Sequence, residues 1–244
     1  MNRTAAALVI GNELLSGKVH ESNTLTLARA LRPLGIELRR VVVIPDEVEL
    51  IAAEVNSLRM THDFVFTSGG VGPTHDDVTV AGIALGLGRQ VVRDATIEAL
   101  LCEHYGDRIT EGHLRMADVV EGTECYPGNS PAWPTMVLGN VFVLPGVPQI
   151  FALKLEGLLP RLRGAEAPFV LRSVDCAIDE GPLKPFLDAV VARFGDVSVG
   201  SYPHWGEDAN RVRVTFDGRD LARVTEAHAS FMQEIPAAWV VRRD

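Results

Sequence analysis

The stretch Thr67-Ser68-Gly69-Gly70-Val71-Gly72-Pro73-Thr74-His75-Asp76-Asp77-Val78-Thr79 decides how this chain reads. It follows the apolar run Asp63-Phe64-Val65-Phe66 and precedes a helical pattern with Val78, Ala81 and Leu85 on one face. A strand, a Gly-rich turn and a helix N-terminus in that order make an anion-binding device. Glycines let the backbone approach a phosphate, and the free N–H groups and dipole of the helix favour its charge. Ser68, Thr74 and Thr79 add hydroxyls, His75 adds a titratable ring, and Asp76 and Asp77 add two carboxylates. Carboxylates beside phosphates repel unless a cation lies between them. The stretch reads as a metal–phosphate site.

Upstream, residues 5–10 predict a buried strand closed by the polar loop Gly11-Asn12-Glu13-Leu14-Leu15-Ser16-Gly17. Ser22 is placed to cap a helix with Leu25, Ala28, Leu31 and, one residue off, Leu27 and Leu34 on its face, stopped by Pro33 and Gly35. Residues 41–44 predict a second buried strand. Pro45-Asp46-Glu47 then opens a helix with Val48, Ile51, Ala52, Val55 and Leu58 at helical spacing. Residues 64–67 are the third strand. Strand and helix thus alternate three times before Leu87, which predicts an α/β, doubly wound, mostly parallel sheet. In such a sheet the ligand sits beyond the carboxyl ends of the strands. The loops at 11–17, 45–47 and 69–77 all follow strands, so they converge on that edge.

Downstream, residues 94–101 and 111–119 predict helices. Residues 135–138 and 141–144 predict a hairpin around Gly139-Asn140. Pro145-Gly146-Val147-Pro148 then starts a helix carrying Ile150, Leu153, Leu155 and Leu158, with Pro148 suited to a first helical position. This is a fourth strand–turn–helix junction on the binding edge. Residues 161–168 read as a boundary between a domain at 1–163 and a small α+β domain at 168–244. The second domain predicts strand 169–178, helix 183–194, strands 197–202 and 211–216, helix 221–234 and strand 238–241. That βαββαβ order is ferredoxin-like.

With 47% hydrophobic and 23% charged residues among 244, the composition suits a globular protein with a sizeable core. The net charge of −9, without a Lys/Arg-rich run, works against nucleic acid as a partner. RNA binding by the second domain, which its element order would tolerate, is disfavoured for the same reason. Cys102, Cys125 and Cys176 show no paired or metal-binding spacing and read as thiols in a reducing compartment. The apolar run at 5–10 is too short for a signal peptide or a membrane span, so a cytoplasmic protein is expected.

The segment TSGGVGPTHDDVT, with IGNELLSG and VIPDE before it and LPGVP after it, resembles the molybdopterin-binding (MoaB/Mog-type) domain family. Within that family the chain looks most like the N-terminal domains of CinA and of eukaryotic-type FAD synthase. The similarity covers residues 5–160 and continues through GSYPHWG at 200–206. CinA-type sequences usually carry a GTAPG-like segment where this chain has PGNSPAWP at 127–134. Asn12 stands where an Asp is common. The chain ends before the deamidase domain of the one relative and the nucleotidyltransferase domain of the other. Neither deamidation of nicotinamide mononucleotide nor FAD synthesis is expected.

The resemblance implies a nucleotide- or pterin-type phosphate ligand, molybdopterin included. It further implies hydrolysis of a dinucleotide pyrophosphate of the ADP-ribose or FAD class, assisted by a divalent cation of Mg, Mn or Co type. Relatives form dimers or trimers, so a homo-oligomer is expected. Carried over by position, Asp46 and Asp77 match the active-site aspartates, Gly69, Gly70 and Gly72 the phosphate loop, and Pro145 and Gly146 the terminal loop. Glu13 is a further candidate metal ligand. Ser68, Thr74, His75 and Asn12 are candidate phosphate or nucleotide contacts.

Each of these residues also has a plainer use. Asp46 fits a helix N-cap, and Thr74 with Asp77 fits the start of the next helix. Asp76 or Asp77 can complement a helix dipole, and the glycines can serve a tight turn. Tyr202, His204 and Trp205 offer rings for stacking, though aromatic clusters more often pack. A non-catalytic binding module for molybdopterin or a nucleotide is the alternative to an enzyme.

Overall fold

The computed structural model describes residues 3–129, 133–205 and 211–243. They belong to two compact units, residues 1–166 and 167–244. Unit 1 runs β1 (Thr4–Ile10), α1 (Asn12–Leu15), α2 (Asn23–Leu31), β2 (Glu37–Ile44), α3 (Val48–Thr61), β3 (Phe64–Ser68) and α4 (Thr79–Leu87). It continues through β4 (Val91–Arg93), α5 (Ala95–Tyr105), α6 (Glu111–Arg115), β5 (Asp118–Val120) and β6 (Glu124–Tyr126). It closes with β7 (Thr135–Leu138), β8 (Val141–Leu144) and α7 (Pro148–Leu162).

The main sheet has the order β2-β1-β3-β8-β7-β6. The strands β2, β1, β3 and β8 are parallel, and β7 and β6 complete the sheet antiparallel. A strand shows alternate side chains to opposite faces, and β1 serves two cores in that way. Ala5, Ala7 and Val9 pack with Leu27 and Leu31 of α2 and Phe151, Leu155 and Leu158 of α7. Ala6, Leu8 and Ile10 pack with Ile51, Val55 and Leu58 of α3 and Ile83 of α4. Buried on both faces, β1 reads as a continuous apolar run, as a central parallel strand should. The fold is the expected α/β, mostly parallel sheet with helices on both sides.

Several details differ from the sequence reading. Val41 and Val43 are 43% and 41% exposed, because β2 is an edge strand and not a buried one. Leu31 of α2 and Leu155 and Leu158 of α7 are buried as expected, whereas Leu25, Leu85, Ile150 and Leu153 are exposed. In α4 the reason is close helix packing. A Cβ on Gly82 would lie 2.5 Å from Ile51, and one on Gly86 would lie 2.5 Å from the Ala52 carbonyl, so the glycine face is the one turned onto α3. The helix expected at 111–119 stops at Arg115; residues 118–120 instead form β5, paired antiparallel with β4 in a separate two-stranded sheet. The hairpin turn at Gly139 and Asn140 is as expected. Asn140 also donates through Nδ2 to the Arg59 and His62 carbonyls, 2.9 Å each, closing the end of α3.

Unit 2 runs β9 (Val170–Cys176), α8 (Glu180–Arg193), β10 (Ser198–Pro203), β11 (Val212–Gly218), α9 (Leu221–Glu234) and β12 (Val240–Arg243). Its sheet order is β10-β11-β9-β12, antiparallel throughout. This is the expected small α+β domain with βαββαβ order. Val174, Val214 and Phe216 bury one sheet face against Leu183, Val224 and Phe231 of the two helices. Tyr202 and Trp205 are 60% and 94% exposed, so neither belongs to this core. The end of the GSYPHWG segment, at Gly206, lies outside the described residues. Cys102, Cys125 and Cys176 are free thiols. No helix of the described residues is long and apolar enough to cross a membrane.

Candidate functional site

Four parallel strands end on one edge of unit 1, and their loops meet there. The glycines of the loop after β3 are first a consequence of that crowding. Gly69 has φ +106°, and a Cβ on it would lie 2.1 Å from the Ile10 carbonyl oxygen at the end of β1. Gly70 has φ +63°, and its Cβ would meet Thr79 Oγ1 at 2.4 Å. Only glycine fits either position. Thr79, fully buried at the start of α4, donates from Oγ1 to the Gly69 carbonyl at 2.8 Å and from its amide to the Gly70 carbonyl at 3.0 Å. From the other side, a Cβ on Gly146 would be 3.3 Å from Gly69 Cα. The loop is clamped between β1, α4 and the loop after β8.

A clamped loop presents its backbone in a fixed direction. The amides of Gly70, Val71 and Gly72 find no acceptor among the described residues. These three residues line a cavity of about 760 Å³ together with Pro145, Gly146 and Val147, the turn that leads into α7. Pro148 is the first residue of this 15-residue helix, so its positive dipole end also faces the cavity. Unpaired amides and a helix N-terminus at one wall form an anion cradle.

Two carboxylates border the cradle. Asp77 lines the cavity, and its Oδ2 accepts from the Thr74 amide at 2.8 Å and from the Thr74 hydroxyl. Glu13, in the short helix after β1, lines the cavity with its carboxylate folded over Gly11, where a Cβ would be 2.6 Å from Oε1. Asp46 is at the same sheet edge but outside the cavity lining. Its Oδ2 accepts from the Asn12 amide at 2.8 Å, tying the loop after β2 to the one after β1. It does not cap α3, whose N-cap is Glu47.

The structure therefore gathers Gly69, Gly70, Gly72, Asp77, Glu13, Pro145 and Gly146 around one cavity. Asn12, Asp46, Ser68, Thr74 and His75 lie outside its lining. Ser68 is 5% exposed and accepts on Oγ from Asn23 Nδ2 at 2.9 Å, so its hydroxyl braces the strand end. Thr74 is spent on Asp77. The side chain of His75 is 97% exposed beside Asp76, at 3.9 Å. Among the described residues, no three His, Cys, Asp or Glu side chains come together as a metal cage.

Two residues of the site had no sequence signal. Asn23, buried at the start of α2, donates from Nδ2 to both Ser68 Oγ and the Gly146 carbonyl at 2.8 Å, joining the two loops that build the cradle. On sequence it is merely an early helical residue. Lys154 of α7 lines the cavity and donates from Nζ to the Trp133 and Pro134 carbonyls, 2.9 Å each. Burial pushes its ammonium down to about 8. A lysine on an amphipathic helix reads as solvated, and only the fold shows that it is not. Trp133, His104 and Tyr105 bring rings to the same cavity, with His104 set edge-on to Trp133 at 5.7 Å. Of the segment 127–134, residues 130–132 lie outside the described residues.

Fold and site together define an α/β domain with a glycine-loop cavity beyond the carboxyl edge of a parallel sheet. Residues 6–164 match the family model described as "Probable molybdopterin binding domain", and residues 168–244 match the one described as "FAD synthase, middle domain". The chain belongs to the molybdopterin-binding domain family. A protein of Archaeoglobus fulgidus is 34% identical over 222 residues, 91% of this chain and 93% of its own length. The probable FAD synthase of Caenorhabditis elegans is 30% identical over 99% of this chain, which spans only 51% of that protein. The crystal structure of CinA from Thermoplasma acidophilum, 28% identical, superposes with a TM-score of 0.61 over 66% of this chain and 99% of its own.

Proposed function

We propose that unit 1 binds a dinucleotide pyrophosphate of the ADP-ribose or FAD class in the 760 Å³ cavity and hydrolyses it. The observation behind this reading is the meeting, in one cavity, of the unpaired Gly70–Gly72 amides, the α7 N-terminus and the carboxylates of Glu13 and Asp77. In the reaction a water oxygen joins one phosphorus, the bridging P–O bond breaks, and two monophosphates leave. The amides hold the pyrophosphate, and the clamp on Gly69 keeps them from following the substrate as its charge redistributes.

A divalent cation of Mg, Mn or Co type would supply charge neutralisation and a more acidic water. The residues present fit a cation carried in on the phosphates. Such ions take one or two protein carboxylates and complete their shell from substrate and solvent, and Glu13 and Asp77 are the two on the cavity wall. Asp46 supports this pair by fixing the Asn12 amide beside Glu13.

A second reading, a binding module for molybdopterin or a nucleotide, draws on the same carboxylates. Asp77 is already engaged with Thr74 and Asp46 with Asn12, so both have structural duties. Calorimetric titration with ADP-ribose, FAD and molybdopterin, with and without Mg²⁺ or Co²⁺, separates the two. Heat of binding without monophosphate release supports the module; metal-dependent release supports the enzyme. The proposal also places the protein in a reducing cytoplasm, in keeping with three free thiols, and as a dimer or trimer, which light scattering measures.

A further inference from the structure

The cavity has a second end that the pyrophosphate does not use. Val147, Ile150 and Lys154 all line it, and from the helix start to Lys154 is a rise of about 10 Å along α7. The cavity therefore runs from the anion cradle along two turns of this helix to Trp133 and Pro134. Ile97, Met116 and Trp133 give this end apolar and aromatic walls. Such walls take a planar ring, and stacking on a tryptophan does not distinguish one ring from another.

Lys154 does distinguish them. An ammonium has three N–H donors and no acceptor. Two of the three are spent on the Trp133 and Pro134 carbonyls. The third has no acceptor among the described residues. We infer that Lys154 is the specificity residue of the ring end, selecting a fused heterocycle that presents a ring carbonyl over one that presents an amino group there. The inference rests on the reading of this cavity as a nucleotide site. A carbonyl oxygen accepts the third N–H. The 6-amino group of adenine would set donor against donor there, so the flavin of an FAD-class substrate belongs at this end and the adenine of either substrate class lies outside it. The ammonium is under-solvated, as its lowered pKa of about 8 reports, so an added acceptor is worth more than it would be in water.

The test compares ADP with IDP, which carry an amino and a carbonyl group respectively at one ring position (with the adjacent ring nitrogen an acceptor in the first and a donor in the second), and adds FMN as a flavin with ring carbonyls. Equilibrium binding to the full chain should favour IDP over ADP by at least about tenfold, the size of a charge-assisted hydrogen bond. Lys154→Met should weaken IDP and FMN by about tenfold and leave ADP within about twofold; Lys154→Arg should keep the preference. Thermal melting of each variant checks that the fold is retained. Binding of FMN alone, or of IDP alone, lost in Lys154→Met, supports the inference and identifies the ring type. Equal binding of IDP and ADP, or a preference that survives Lys154→Met, overturns it while the nucleotide reading stands. Binding of none of the three overturns both.

Discussion

The two ends of the cavity are built by different kinds of chain. The cradle end is backbone: strand-end loops pressed together so tightly that Gly69 and Gly70 have no room for a Cβ, with Thr79 and Asn23 locking them. The ring end is side chain: His104 of α5, Lys154 of α7 and Trp133 of the segment before β7 reach in from separate parts of the chain. The contrast separates what the fold demands from what a ligand demands. A glycine that the packing requires says little about phosphate, whereas amides without an acceptor among the described residues have no use in the packing.

Substitutions can break this contrast at either end. Gly69→Ala should be the most damaging, since it forces a positive φ on alanine and drives a methyl into the Ile10 carbonyl. A loss of about 3 kcal/mol or more is expected, read by urea unfolding. The next effect is a pH dependence set by Lys154, whose folded pKa of about 8 lies below its ordinary 10.5. Below about pH 8 both folded and unfolded chains hold the proton, and burying the charge costs its full amount. Between about 8 and 10.5 the folded state releases it first, so stability rises with pH, by something on the order of 3 kcal/mol. The difference between wild type and Lys154→Met isolates this term from the other titrating groups on the cavity wall, Glu13, Asp77, His104 and Tyr105.

Asn23→Ala leaves the Ser68 hydroxyl and the Gly146 carbonyl without their donor and should cost about 1–2 kcal/mol, together with weaker phosphate binding. Trp133→Ala is expected to cost least in stability, under about 1 kcal/mol, while weakening ligands that carry a ring by about tenfold and leaving inorganic pyrophosphate unchanged. Equal losses for pyrophosphate and nucleotide would erase the distinction between the two ends.

The cradle end was legible in the sequence because backbone demands leave residue-type signatures. Three glycines after an apolar run, a proline opening a helix, and alternation of strand with helix each have one physical cause. The apolar stripes of single helices were less legible. In α4 the packing face is made by Gly82 and Gly86, residues with no hydrophobic side chain to count, so periodicity alone points to Leu85, which is exposed. The strand at 118–120 was read as helix because a three-residue strand is too short to show a period. Ser68 and His75 belong to the right stretch, yet one turns inward to Asn23 and the other out to solvent. Orientation of that kind is decided by partners distant in sequence. The ring end left no pattern at all: a lysine, a tryptophan and a histidine on three separate segments become neighbours only through the fold.

Cleavage of a pyrophosphate in the cavity is read from its products. Wild type and Asp77→Asn are incubated with FAD and with ADP-ribose in the presence of Mg²⁺, Mn²⁺ or Co²⁺, and the monophosphates are quantified. The account predicts two monophosphates in equal amounts from the wild type, and a loss of at least about a hundredfold in the Asp77→Asn variant with its melting curve preserved. Tight binding without products, or undiminished turnover in Asp77→Asn, would contradict it.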